Sequence, residues 1–168
     1  MFDPEIMTAA DELVTALKQR GRWVTCAESC TGGLLSGAIT SVAGASSCFA
    51  SGFVTYSNEA KHTLLGVSVD TLERYGAVSA ETAREMASGA LEAAEAMNSP
   101  HGLALSITGI AGPGGGSTDK PVGLVFIGAA MPGAVQAKRY EFGDAGRDIV
   151  RRETLLAALR FGLECLGK

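Results

Sequence analysis

Short apolar runs alternate along this chain with segments of helical period, and no other feature limits its possible folds as strongly. Ile6, Ala10, Leu13 and Leu17 recur at helical spacing over residues 4–20, with Asp3-Pro4 as a start signal and Gly21 as a stop. A short strand is expected over 22–27, then a helix over about 31–41. Gly52-Phe53-Val54-Thr55-Tyr56 has strand composition, Asn58 can cap a helix that Gly66 ends, and Asp70 can cap a further turn. Ser79 opens an Ala/Glu/Met helix running to about Met97. Residues 103–107 read as a buried strand, and a loop with too much glycine for a regular element follows from Thr108. Strands over about 123–131 and 134–141, joined by Met131-Pro132-Gly133, read as a hairpin. Asp144 starts a last helix over about 145–166. Helices alternating with strands, one pair of which is antiparallel, predict an α/β fold: a three-layer α/β/α domain with a mixed sheet. A chain of 168 residues has room for one such core, so residues 1–168 are read as a single domain.

Aromatic residues make up only 6% of the chain against 46% hydrophobic overall, so the core must be built mainly from Ala, Val, Leu and Ile. A net charge of −4 argues against a general nucleic-acid surface, which would be basic, but a few local arginines suffice for one small anion. Cys26, Cys30, Cys48 and Cys165 form no CxxC pair and sit in apolar surroundings, which fits reduced, buried thiols. No HxxxH or CxxC spacing supports a metal. No run approaches the ~18 apolar residues of a membrane span. The N-terminal MFDPEIMTAADEL is acidic where a signal peptide would be basic. A soluble, cytoplasmic protein with no nucleic-acid or membrane partner is expected.

In open α/β sheets ligands bind beyond the carboxyl ends of strands, and two such ends stand out: Glu28-Ser29 and Thr108-Gly109. The stretch Ala27-Glu28-Ser29-Cys30-Thr31-Gly32-Gly33 places a hydroxyl before a predicted helix start. Ser29 can act there as a nucleophile, with the N–H groups of Thr31, Gly32 and Gly33 as an oxyanion nest, or it can merely cap the helix. His101 lies at the wrong end of a strand to serve as its base, and His62 is possible but weaker than its neighbour Lys61. Lys61, in the strand-to-helix segment Tyr56-Ser57-Asn58-Glu59-Ala60-Lys61, is the better candidate, with Tyr56 to relay the proton. The alternative is an exposed lysine beside a packed tyrosine, and spacing does not separate the two. Arg147 and Arg151 share a helix face, which suits either a phosphate clamp or a solvated patch paired with Asp144, Asp148 and Glu153. The run Gly112–Gly116 lacks the Lys-Ser/Thr of a P-loop and reads better as a lid or shaping loop.

Five blocks, AESCTGG, GFVTYSNEAKHTLLGV, YGAVSAETAREMASGA, SITGIAGPGGGSTDKPVGLV and GDAGRDIVRRETLLAAL, occur in the order seen in the CinA C-terminal domain family. The chain resembles that family over about residues 10–165, and is similar to its form without the additional N-terminal domain that longer members carry. The resemblance implies an anticodon-binding-domain-like α/β/α fold. Through the family's PncC-type nicotinamide-nucleotide amidases, it implies hydrolysis of the carboxamide of nicotinamide mononucleotide to nicotinate mononucleotide and ammonia. It matches Ser29 to the nucleophile, and Tyr56 and Lys61 to the activating tyrosine and lysine. It also favours Thr108, Gly109, Arg147 and Arg151 as substrate-binding residues, with the arginines at the 5′-phosphate. It implies no cofactor, a small-molecule substrate as the main partner, and a homo-oligomer. A non-catalytic partner-binding domain of competence or DNA-damage machinery is the alternative from another class.

Overall fold

A computed structural model describes residues 2–98 and 101–167. The chain opens with α1 (Pro4–Gln19), whose first two free N–H groups, on Glu5 and Ile6, are accepted by the Asp3 carboxylate. After β1 (Trp23–Glu28) come α2 (Leu34–Thr40), a 3-10 turn (Ala45–Ser47) and β2 (Phe49–Val54). Next are three helices, α3 (Asn58–Leu65), α4 (Val69–Tyr75) and α5 (Ala80–Glu95). Strands β3 (Gly102–Gly109), β4 (Leu124–Met131) and β5 (Ala134–Glu141) precede the last helix, α6 (Arg147–Cys165).

The sheet order is β2-β1-β3-β4-β5. β1 runs parallel to β2 and β3, while β4 is antiparallel to β3 and β5, so the sheet is mixed as the hairpin requires. Strand alternation then sorts the side chains onto two faces. Val24 and Cys26 of β1 join a core with Leu13, Leu17, Leu35, Ile39, Leu159 and other residues of α1, α2 and α6. Trp23 and Ala27 point the other way, into a core with Met86, Ala87 and Ala90 of α5 and Leu65 of α3. These are the three layers.

Several boundaries differ from those expected, each for a physical reason. α2 starts at Leu34, not near Thr31, because Gly32 and Gly33 adopt left-handed conformations (φ +61° and +97°) that no helical residue takes. β3 continues through Thr108 and Gly109 instead of ending at Ile107, because β4 pairs with both residues. A Cβ on Gly109 would stand 2.7 Å from Val125 Cγ2 and 2.8 Å from the Leu124 carbonyl, so glycine here permits close strand approach. β2 begins at Phe49 and ends at Val54, so Thr55 and Tyr56 belong to the turn into α3. Ser57 and Ser68 cap α3 and α4 in place of Asn58 and Asp70, and α6 starts after Gly146. α5 ends at Glu95. Ser99-Pro100, which a sequence reading makes a loop before β3, lies outside the described residues. No helix among the described residues is long and apolar enough to cross a membrane.

Candidate active site

β1, β2 and β3 run parallel, so their carboxyl ends open on the same side of the sheet. Ser29 follows β1, its N–H bound to the Ile107 carbonyl of β3 at 3.0 Å. Thr55 follows β2, its N–H bound to the Glu28 carbonyl at 2.8 Å. One helical turn into α3, Lys61 returns over these strand ends and is only 1% exposed. Its Nζ lies 3.1 Å from Ser29 Oγ, 2.8 Å from the Thr55 carbonyl and 3.4 Å from the Tyr56 carbonyl. Three acceptors match the three donors of an ammonium, yet all are neutral, and burial holds the Lys61 amine below its ordinary 10.5. A lysine so placed can shed its proton and then take one from the serine hydroxyl. The Thr55 hydroxyl, also buried, has no hydrogen-bond partner among the described residues.

Two of the three N–H groups expected to form an oxyanion nest are already bonded. The N–H of Gly32 closes a turn onto the Ser29 carbonyl at 3.0 Å, and that of Gly33 is bound at 3.1 Å by the Glu28 carboxylate. Among the described residues, the backbone N–H groups of Cys30 and Thr31 have no acceptor, and they directly follow Ser29. Glu28 was not assigned a role from sequence. Alternation along β1 sends it to the α2 face, where it takes over the start of that helix. Its only sequence signal is a carboxylate ahead of a Thr-Gly-Gly turn that offers the helix no side-chain cap of its own.

Tyr56 is 61% exposed and its hydroxyl accepts from Arg147 Nη2 at 3.1 Å, while its carbonyl meets Lys61. Thr108 is buried and spends its hydroxyl on the Ala77 carbonyl at 2.6 Å, while Gly109 packs against β4. Arg147 also donates to the Gly112 carbonyl at 3.0 Å, and Arg151 donates to the Thr31 carbonyl at 2.9 Å. From α6, Arg151 therefore reaches the serine loop, and Arg147 reaches the Tyr56 hydroxyl and the start of the glycine loop. Among the described residues neither is ion-paired, and Glu153 pairs with Arg152 instead. Among the described residues Arg151 Nε is buried without a partner. Both guanidiniums are thus held by neutral acceptors and not by carboxylates.

The neighbouring thiol does not compete. Burial pushes Cys30 up to about 11, away from the thiolate. His62 is bound to the Val67 carbonyl at 2.8 Å, and the strand end preceding Gly102 places His101 across the sheet from Ser29. Residues Pro113–Ser117 with Val122, Glu141 and Asp144 line an open cavity of about 500 Å³ that Arg147 adjoins through Gly112; Ser29 and Lys61 do not line it. Among the described residues no cluster of His, Cys, Asp or Glu could hold a metal ion.

Residues 6–166 match the model of the CinA C-terminal domain. The chain is 53% identical to a nicotinamide-nucleotide amidohydrolase PncC of Enterobacter agglomerans, over 97% of this chain and 96% of that protein. It is 48% identical to the nicotinamide-nucleotide amidohydrolase PncC of Escherichia coli K12, over 95% and 94% of the two chains. Among solved structures, competence/damage inducible protein CihA from Agrobacterium tumefaciens superposes with a TM-score of 0.93 at 44% identity, covering 100% of this chain and 99% of that one. By sequence and by architecture, the chain belongs to the CinA C-terminal domain family.

Proposed function

We propose that this protein is a nicotinamide-nucleotide amidohydrolase that converts nicotinamide mononucleotide to nicotinate mononucleotide and ammonia, with Ser29 as nucleophile and Lys61 as base. The observation that carries the mechanism is the buried Lys61 Nζ 3.1 Å from Ser29 Oγ. The names of the relatives support the substrate. Neutral Lys61 takes the Ser29 proton as Oγ attacks the carboxamide carbon, and the oxyanion of the tetrahedral intermediate forms against the free N–H groups of Cys30 and Thr31. The Lys61 ammonium then protonates the departing nitrogen, so the carbon–nitrogen bond breaks with release of ammonia and an ester to Ser29 remains. Water, deprotonated by Lys61, attacks that ester; the carboxylate leaves and Ser29 recovers its proton.

Arg147 and Arg151 are the groups for the 5′-phosphate. Guanidiniums held by neutral acceptors suit a dianion, whereas the glycine-loop cavity carries Glu141 and Asp144 and would repel one. A module that only binds a partner gains nothing from burying a lysine against a serine, because the burial costs stability. The test is ammonia release from nicotinamide mononucleotide by the wild type and by Ser29→Ala. Loss of release with an unchanged circular dichroism spectrum is expected in the variant. A wild-type protein that releases no ammonia from the nucleotide overturns the reading.

A further inference from the structure

Glu28 precedes the nucleophile, yet its side chain points into the protein and is fully buried. Its carboxylate accepts five hydrogen bonds, all from the eight residues that follow it. Oε2 takes the Thr31 hydroxyl at 2.7 Å, the Gly33 N–H at 3.1 Å and the Leu35 N–H at 3.0 Å. Oε1 takes the Ser36 N–H and the Ser36 hydroxyl, both at 2.8 Å. This is how α2 satisfies the free donors of its first turn, because Gly33 at its N-cap has no side chain. Room for the arrangement comes from β2: a Cβ on Gly52 would stand 2.5 Å from Ser36 Oγ.

We infer that Glu28 is the positioning residue of this active site, setting the aim of the Cys30 and Thr31 N–H groups through its grip on Thr31 and the start of α2. Thr31 is held from two sides, its hydroxyl by Glu28 and its carbonyl by Arg151, at 2.7 and 2.9 Å. The turn from Ser29 to Gly32 is closed by one backbone hydrogen bond of 3.0 Å. Thr31 thus anchors the end of that turn, and the two peptides that lead into it carry the unengaged N–H groups of Cys30 and Thr31. The carboxylate also neutralises the positive end of α2, so an oxyanion at Ser29 is stabilised by the turn and not by the helix. The inference rests on Ser29 being the nucleophile.

An amide in place of the carboxylate presents an NH2 to donors. Hydroxyls can rotate to accept from it, but at least one backbone N–H of α2 is left unpaired. Glu28→Gln is therefore expected to lower kcat about tenfold or more with KM within about threefold, as loss of oxyanion alignment does. The rate at which a fluorophosphonate labels Ser29 should fall in parallel. Thr31→Val removes only the hydroxyl bond, so it serves even if Glu28→Gln does not fold; it should lower kcat several-fold, and Thr31→Ser should restore it. If Ser29→Ala is inert while the folded Glu28 and Thr31 variants keep wild-type kcat and labelling rate, the positioning role is overturned and the nucleophile stands. If Ser29→Ala still turns over substrate, the nucleophile falls and the positioning role with it.

Discussion

Lys61 Nζ sits between Ser29 Oγ and the Thr55 carbonyl, 3.1 and 2.8 Å away, with no carboxylate among the described residues to share its charge. The proposed mechanism uses its neutral amine, and burial favours that form. The value of kcat/KM should therefore rise with pH through an apparent pKa below 10.5, the ordinary lysine value. The linkage to stability has the opposite sense from a salt bridge. Below the folded-state pKa, folding must bury a cation; the cost is then present in full, and it is relieved as pH climbs from the lowered pKa towards 10.5. Lys61→Met should abolish turnover while leaving Tm at pH 7 equal or higher, by about 2–4 °C per kcal/mol relieved. Calorimetry of both proteins at pH 7 and pH 10 checks this. A Tm lower in the variant at pH 7 would show that the lysine stabilises the fold.

The Tyr56 hydroxyl meets Arg147 and not the Ser29–Lys61 pair, which separates two roles that the sequence left together. A proton relay through that hydroxyl would contribute about 10²–10⁴ to the rate. Tyr56→Phe should instead keep kcat within about tenfold, with the change appearing mainly in KM through a freed Arg147. Steady-state kinetics on nicotinamide mononucleotide decide the matter, and a kcat loss beyond about a hundredfold would return the hydroxyl to the chemistry.

What could be read from the sequence was what depends on local pattern. The helix–strand alternation, the Met131-Pro132-Gly133 hairpin and the strand end at Ser29 follow from hydrophobic period and turn chemistry, so the mixed sheet and three layers were within reach. Lys61 could be singled out as a base because it lies one turn into a helix after a strand end. Its burial could not, since that depends on how α3 folds back over β1. Glu28 was hidden for the same reason: five partners within eight residues form a cap only once β1 is oriented relative to α2. Glycine is hard to read from pattern alone. The Gly33 N–H turns out to be taken by Glu28, and Gly109, read as part of a loop, brings two strands together.

Gly109 offers a test of that second case. A Cβ there would collide with Val125 and the Leu124 carbonyl at the end of the β3–β4 ladder. Gly109→Ala should cost about 1–3 kcal/mol of stability. If Gly109 acts only through packing, the surviving folded enzyme keeps its KM for the mononucleotide. Urea unfolding with kinetics on the same preparation measures both. A large rise in KM at unchanged stability would place Gly109 against the substrate instead.

Arg147 and Arg151 make the sharpest demand on the substrate. Each donates to neutral oxygens, Gly112 and Tyr56 for the first and Thr31 for the second, and such bonds are weaker than those to a phosphate dianion. Binding a phosphate should therefore draw both guanidiniums away from their resting partners at a net gain. Arg151→Ala should raise KM for nicotinamide mononucleotide about tenfold or more while changing KM for the dephosphorylated nucleoside about threefold at most. Because Arg151 also holds the Thr31 carbonyl, a fall in kcat common to both substrates is expected beside the KM effect, and the ratio of the two KM changes isolates the phosphate. Arg147→Ala should show the same preference, together with a looser glycine loop seen as faster proteolysis between Gly112 and Ser117. If both substrates lose affinity equally in both variants, the arginines organise the loops and the phosphate is bound elsewhere.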